Sequence, residues 1–157
     1  MATLRPARLE DCPSIWRVFT RAVRELARSH YTVEELEAWA ALRQPESFAA
    51  VIGKREFYVA EDAGAIVGYG QLNTATGELE AVYVAPEWAN RSLGRRLLEK
   101  LEEAAWAAGL KSLHLRASLN AVGFYEHFGY HAERQEMHRL PTGVEFAVVH
   151  MTKSLDE

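Results

Sequence analysis

Residues 78–98, ELEAVYVAPEWANRSLGRRLL, place an alternating apolar strand, a proline, a short polar turn and an amphipathic helix in immediate succession. A helix N-terminus exposes backbone N–H groups without intrahelical partners and carries about half a positive charge, so the turn at 90–95 is a ready seat for a phosphate. Arg91, Arg95 and Arg96 crowd that helix start, where cations oppose the dipole; contact with an anion accounts for them better than helix stability does. Upstream, Glu78 and Glu80 alternate with apolar residues, and in a regular strand they point to one face together with Val82 and Val84. Two carboxylates on a strand that runs into an anion seat are candidate proton acceptors.

Other constellations carry less. Gly68, Tyr69 and Gly70 lie inside a strand instead of opening a helix, so they suit sheet packing and not a dinucleotide fingerprint. The six histidines form no metal-ligand array, and the nearest pair, His127 and His131, is split by the helix end at Gly129. No metal is expected. Cys12 stands alone at a helix start, which favours a buried thiol over a disulfide or a nucleophile.

The elements that must position these residues can be read from periodicity and turn chemistry. A short strand at 3–8 precedes a helix capped near Asp11 and Ser14, with Ile15, Trp16, Val18, Phe19, Val23 and Leu26 at helical spacing, running to about Ser29. Thr32 and Glu35 form a capping box for a second helix with Leu36, Trp39 and Leu42 on its apolar side, closed by Pro45; residues 47–52 add another turn. Strands at 57–60 and 66–72 make a hairpin around Asp62, Ala63 and Gly64, and a further turn at 74–77 delivers the strand at 78–85. The helix at 92–108, with Leu93, Leu97, Leu98, Leu101, Ala105 and Trp106 as its stripe, leads to a strand at 112–116. Because a helix connects them, that strand should run parallel beside the one at 78–85. A short helix at 121–128 and a hairpin of 130–139 with 144–155 complete one domain spanning 1–157.

Composition limits the partners. A chain of 157 residues, 48% hydrophobic, supports one core, and a net charge of −4 offers no broad basic surface for duplex nucleic acid or an anionic membrane. The polar start and the lack of a long apolar run lead to the expectation of a cytoplasmic protein.

Two segments, VYVAPEWANRSLGRRLLEKLEEAA and LHLRASLNAVGFYEHFGY, resemble the core motifs of the GCN5-related N-acetyltransferases (GNAT), and LRPARLEDCPSIWRVF at the start and VVHMTKSL at the close resemble that family too. The resemblance implies an α/β acyltransferase fold with a mixed, mostly antiparallel sheet flanked by helices. It also implies direct transfer of an acetyl group from acetyl-CoA to a primary amine of a small molecule or amino-acid-like acceptor. In the family's pyrophosphate loop, R/Q-x-x-G-x-G/A, Ala89 stands where Arg or Gln is usual, Ser92 where the first glycine is usual, and Gly94 matches. A left-handed backbone at Ser92 would cost about 1 to 2 kcal/mol. The cofactor residues implied are Ala89, Asn90, Arg91, Ser92, Leu93, Gly94 and Arg95 in the loop and Val82, Tyr83 and Val84 on the strand, the last group splayed from 112–116 to present N–H groups to the thioester. Asn120 would cap its helix and face the pantetheine, and Tyr125 would be the general acid at the CoA sulfur. Glu78 or Glu80 would be the base.

The segment ARSHYTVEELEAWA resembles a bacterial subgroup of the family, and His30, Tyr31 and Trp39 are expected to line an acceptor pocket through cation–π contact. Arg116 and His138 are further residues able to reach that cleft. Two other readings stay open, a non-catalytic acyl-CoA-binding module, suggested by Ala89 and Ser92, and a protein or peptide N-acetyltransferase. The terminal hairpin leaves an edge on which a homodimer could form.

Overall fold

In a computed structural model describing residues 2–156, seven strands form one sheet in the order β1-β2-β3-β4-β5-β7-β6. The strands are β1 (Thr3–Pro6), β2 (Glu56–Asp62), β3 (Ala65–Asn73), β4 (Glu78–Val84), β5 (Ser112–Ser118), β6 (His131–Arg139) and β7 (Glu145–Ser154). Helices α1 (Cys12–Leu26), α2 (Val33–Ala40) and α3 (Pro45–Ile52) precede β2, α4 (Leu93–Ala107) joins β4 to β5, and α5 (Val122–His127) joins β5 to β6. All pairings are antiparallel except β4 with β5, as the helical crossover between them requires.

The two faces of the sheet bury separate clusters. Ile15, Val18, Phe19 and Val23 of α1, with Trp39 and Phe48 from the next two helices, pack on Phe57, Val59, Tyr69, Ala81, Phe146 and Val148. Leu98, Leu101 and Ala105 of α4 and Tyr125 of α5 pack on Leu72, Leu79, Leu113, Leu115 and Met151 from the opposite side. Gly70 brings α4 close to the sheet, because a β-carbon there would lie 2.8 Å from Leu101 Cδ1.

The capping box at Thr32 forms as its spacing predicts: Thr32 Oγ1 accepts from Glu35 N at 3.1 Å and Glu35 Oε1 from Thr32 N at 2.9 Å. Helix ends differ from expectation by a few residues, with α1 stopping at Leu26 and α2 at Ala40. Trp106, expected in the apolar stripe of α4, is 59% exposed, and the stripe ends at Ala105, which is buried as expected. Among the described residues no helix is long and apolar enough to cross a membrane.

Candidate active site

The site begins where two strands stop pairing. β4 and β5 share the single ladder pair Glu78↔His114 and then part. Ala85 N–H donates to Val67 O of β3 at 2.8 Å, so by strand alternation the N–H groups of Val84 and Val82 face away from β3, into the gap. Around this gap lies a cavity of about 710 Å³, bounded by α1 and α2 on one side and by the start of α4 and α5 on the other.

β4 is not regular. Gln71 pairs with Ala81 but Leu72 with Leu79, so Glu80 is the extra residue of a β-bulge. The expectation that Glu78 and Glu80 share a face with Val82 and Val84 is therefore corrected. Val82 and Val84 pack toward Leu93 and Leu97 of α4, whereas Ala81 and Tyr83 pack on the α1 side, where Glu80 is also held. Glu80 Oε1 accepts from Arg55 Nε and from Gln71 Nε2, both at 2.7 Å, and Glu80 lines the cavity. Glu78 lies outside the cavity lining, with its Oε2 3.7 Å from Arg116 Nη2.

The loop before α4 takes two left-handed residues, Asn90 (φ 61°) and Ser92 (φ 65°), neither of them glycine. The cost anticipated at Ser92 is thus real, and asparagine is among the residues that tolerate this conformation best. Ser92 is the N-cap of α4 yet makes no side-chain capping bond, so both its hydroxyl and the first N–H groups of the helix remain open to an anion. Ala89, Asn90, Ser92, Gly94 and Arg95 all line the cavity. Two loop residues do not: Leu93 is 1% exposed in the core, and the Arg91 guanidinium lies over the Trp88 ring, 4.0 Å from its centroid. Trp88, whose turn is tied to α1 by Arg21 and Glu87 (3.1 and 2.6 Å), lines the cavity in Arg91's place.

α5 supplies the opposite wall. Tyr125 is 7% exposed, faces the cavity, and its hydroxyl has no hydrogen-bond partner among the described residues. Burial pushes its pKa well above the usual phenol value, so the hydroxyl stays protonated at physiological pH. Asn120 sits inside a 3₁₀ turn (Leu119–Ala121) and makes no capping bond; the N-cap position of α5 is Ala121, which corrects the capping role expected of Asn120. Its Oδ1 is buried at the cavity wall without a partner among the described residues. An orphaned amide oxygen, open N–H groups at Val82 and Val84 and an uncapped helix start fit, respectively, an amide N–H, the thioester carbonyl and the diphosphate of acetyl-CoA.

His30 and Trp39 line the cavity as expected. Tyr31 does not: its hydroxyl donates to Ala147 O at 2.6 Å and accepts from Leu119 N at 2.8 Å, which makes it a strut between β7 and the Asn120 turn. Arg116 lines the cavity, and its Nη1 donates to His138 Nδ1 at 3.2 Å. Burial and the Arg116 charge hold that imidazole below its ordinary pKa. Sequence reasoning missed Arg55 and Gln71, the holders of Glu80. Gln71 was findable, since centring the β3–β4 turn brings it opposite residues 80–81.

The profile described as an acetyltransferase (GNAT) domain matches residues 27–155. A GCN5-related N-acetyltransferase from Rhodopseudomonas palustris is 31% identical, with a TM-score of 0.91 over 98% of this chain and 96% of its own. PaiA N-acetyltransferase from Thermoplasma acidophilum, solved with coenzyme A, is 20% identical with a TM-score of 0.82 over 98% and 99% of the two chains. In sequence, the uncharacterized N-acetyltransferase YafP of Escherichia coli is 25% identical over 126 residues, which is 80% of this chain and 79% of that protein. With the profile covering most of the chain and a 31% identical relative matching it over nearly its whole length, the chain belongs to the GNAT family of acetyl-CoA-dependent N-acetyltransferases.

Proposed function

We propose that the protein transfers the acetyl group of acetyl-CoA directly to the primary amine of a small molecule. The observation that carries this reading is the cleft opened past Glu78↔His114, because it has carbonyl-binding N–H groups on β4, a phenol on one wall and a free carboxylate oxygen on the other. Acetyl-CoA supplies an activated thioester. The proton of the incoming ammonium passes to Glu80 Oε2, which no protein group occupies among the described residues. The amine lone pair then forms the C–N bond, N–H groups of Val82 and Val84 receive the carbonyl oxygen, and the C–S electron pair leaves with sulfur. Tyr125 donates its proton to that sulfur, and the second proton of the attacking nitrogen, lost as the neutral amide forms, returns the phenolate to the phenol.

A covalent acetyl-enzyme has no support. Cys12 is buried outside the cavity, and its thiol is pushed up by burial and by Asp11. A small acceptor is favoured over a peptide because α1, α2 and the segment joining them wall the acceptor end with Leu26, Ala27, His30 and Trp39. The degenerate loop no longer motivates a purely binding role, since its left-handed turn forms with Ser92 in place of the usual glycine. Thiol release from acetyl-CoA, followed with a panel of small amines beside a panel of peptides, tests the reading. Turnover confined to peptides would overturn it.

A further inference from the structure

The acceptor end of the cleft holds two opposite charges that do not meet. Glu80 and Arg116 each lie two residues beyond the single ladder pair Glu78↔His114, one on each parting strand, and both line the cavity. No ion pair joins them among the described residues. Glu80 spends only Oε1 on Arg55 and Gln71, leaving Oε2 open.

Arg116 is held weakly. Its contact with Glu78, at 3.7 Å, exceeds hydrogen-bonding distance, and its remaining bond is to a neutral imidazole nitrogen of His138 at 3.2 Å. The side chain is 47% exposed. A second cation, Arg43, has no carboxylate partner among the described residues and acts on the same histidine across space. A guanidinium is a rigid fork matched to a carboxylate, and a bidentate carboxylate would replace a 3.7 Å contact with two short charge-assisted bonds.

We infer that the acceptor is a free amino acid or close analogue, its ammonium directed to Glu80 and its carboxylate seated on Arg116. This rests on the N-acetyl-transfer reading above and names its substrate class. It also separates the acceptor from a peptide, whose terminal amine is followed by a neutral amide. Arg116 is then a specificity-determining residue of the acceptor end.

The test is steady-state kinetics on matched sets, each comprising an α-amino acid, its primary amide and its decarboxylated amine, with wild type, Arg116→Gln and Arg116→Lys. The expected result is that acids exceed their neutral partners in kcat/KM by about 10-fold or more. Arg116→Gln should lose about 10- to 100-fold for acids through KM, leave neutral amines within about twofold, and leave the KM of acetyl-CoA unchanged; Arg116→Lys should recover part of the loss. Thermal melts of both variants confirm folding. Equal turnover of acids and amides, or an equal loss for both in Arg116→Gln, would overturn this inference while leaving amine acetylation intact. Failure of every amine would overturn the functional reading and this inference with it.

Discussion

Gly94 lies against the Phe124 ring: a β-carbon at Gly94 would sit 3.1 Å from Cε1 and 3.3 Å from Cζ. This glycine, the residue that matches the family's loop pattern, serves a contact between α4 and α5 and not a left-handed turn, which Asn90 and Ser92 provide. The contact fixes the anion seat relative to Tyr125, the next residue along α5. Gly94→Ala should push the ring by a few tenths of an ångström, lowering kcat with acetyl-CoA affinity reduced only modestly. Unchanged kcat in that variant would show that the two helices are not coupled this way.

Tyr125→Phe removes a hydroxyl that no protein group uses, so the fold should be kept. The expected outcome is a fall in kcat of about 100-fold or more, with acetyl-CoA binding by calorimetry within about threefold of wild type. Equal kcat would remove the phenol from the acid role.

Glu80→Gln keeps an oxygen for Arg55 and Gln71 but cannot take a proton. The loss should be about 100-fold in kcat/KM for the amine, and Glu78→Gln, outside the cavity, should lose less than about tenfold. The reverse ranking would transfer the base to Glu78.

Tyr31→Phe deletes one donated and one accepted bond, leaving Leu119 N–H and Ala147 C=O without it. A loss of about 2 kcal/mol in stability is expected from urea unfolding, together with weaker acetyl-CoA binding as the Asn120 turn loosens. A change in amine KM alone would instead restore Tyr31 to the acceptor pocket.

Asp11, 6% exposed, accepts from Arg5 at 2.8 and 3.0 Å and from Arg8 N at 2.8 Å. Arg5 first among these holds its pKa below the ordinary 3.8. A folded-state pKa lower than the unfolded one gives stability that is full above the unfolded value and is lost as pH falls through the folded one. Asp11→Asn should therefore be less stable than wild type by about 1 to 3 kcal/mol at pH 7, with the gap closing below about pH 4. A gap that persisted at pH 2 would mean the loss is one of shape and not of charge.

Local rules reach most of this fold. Capping at Thr32, the glycine turns and the 92–108 stripe predict the elements, and the crossover helix predicts the parallel pair β4 and β5, because each signal depends on neighbours in sequence. The bulge at Glu80 was not legible, since it comes from pairing between strands and leaves no mark in the residues of β4 alone. For the same reason Arg91 could be read as a phosphate ligand when its guanidinium lies over the Trp88 ring, and Asn120 as a cap when its oxygen faces the cleft. The motif spacing identified which segments meet; packing decided which side chains within them face inward.

On the proposed reading, a loop with Ala89 and Ser92 in place of the usual Arg or Gln and glycine still seats the diphosphate of acetyl-CoA beside Val82 and Val84. Calorimetric titration with acetyl-CoA tests it most directly. One site with a Kd of about 1 to 100 μM is the expected result. No heat of binding at millimolar acetyl-CoA would contradict the claim, and with it every role assigned to the cleft.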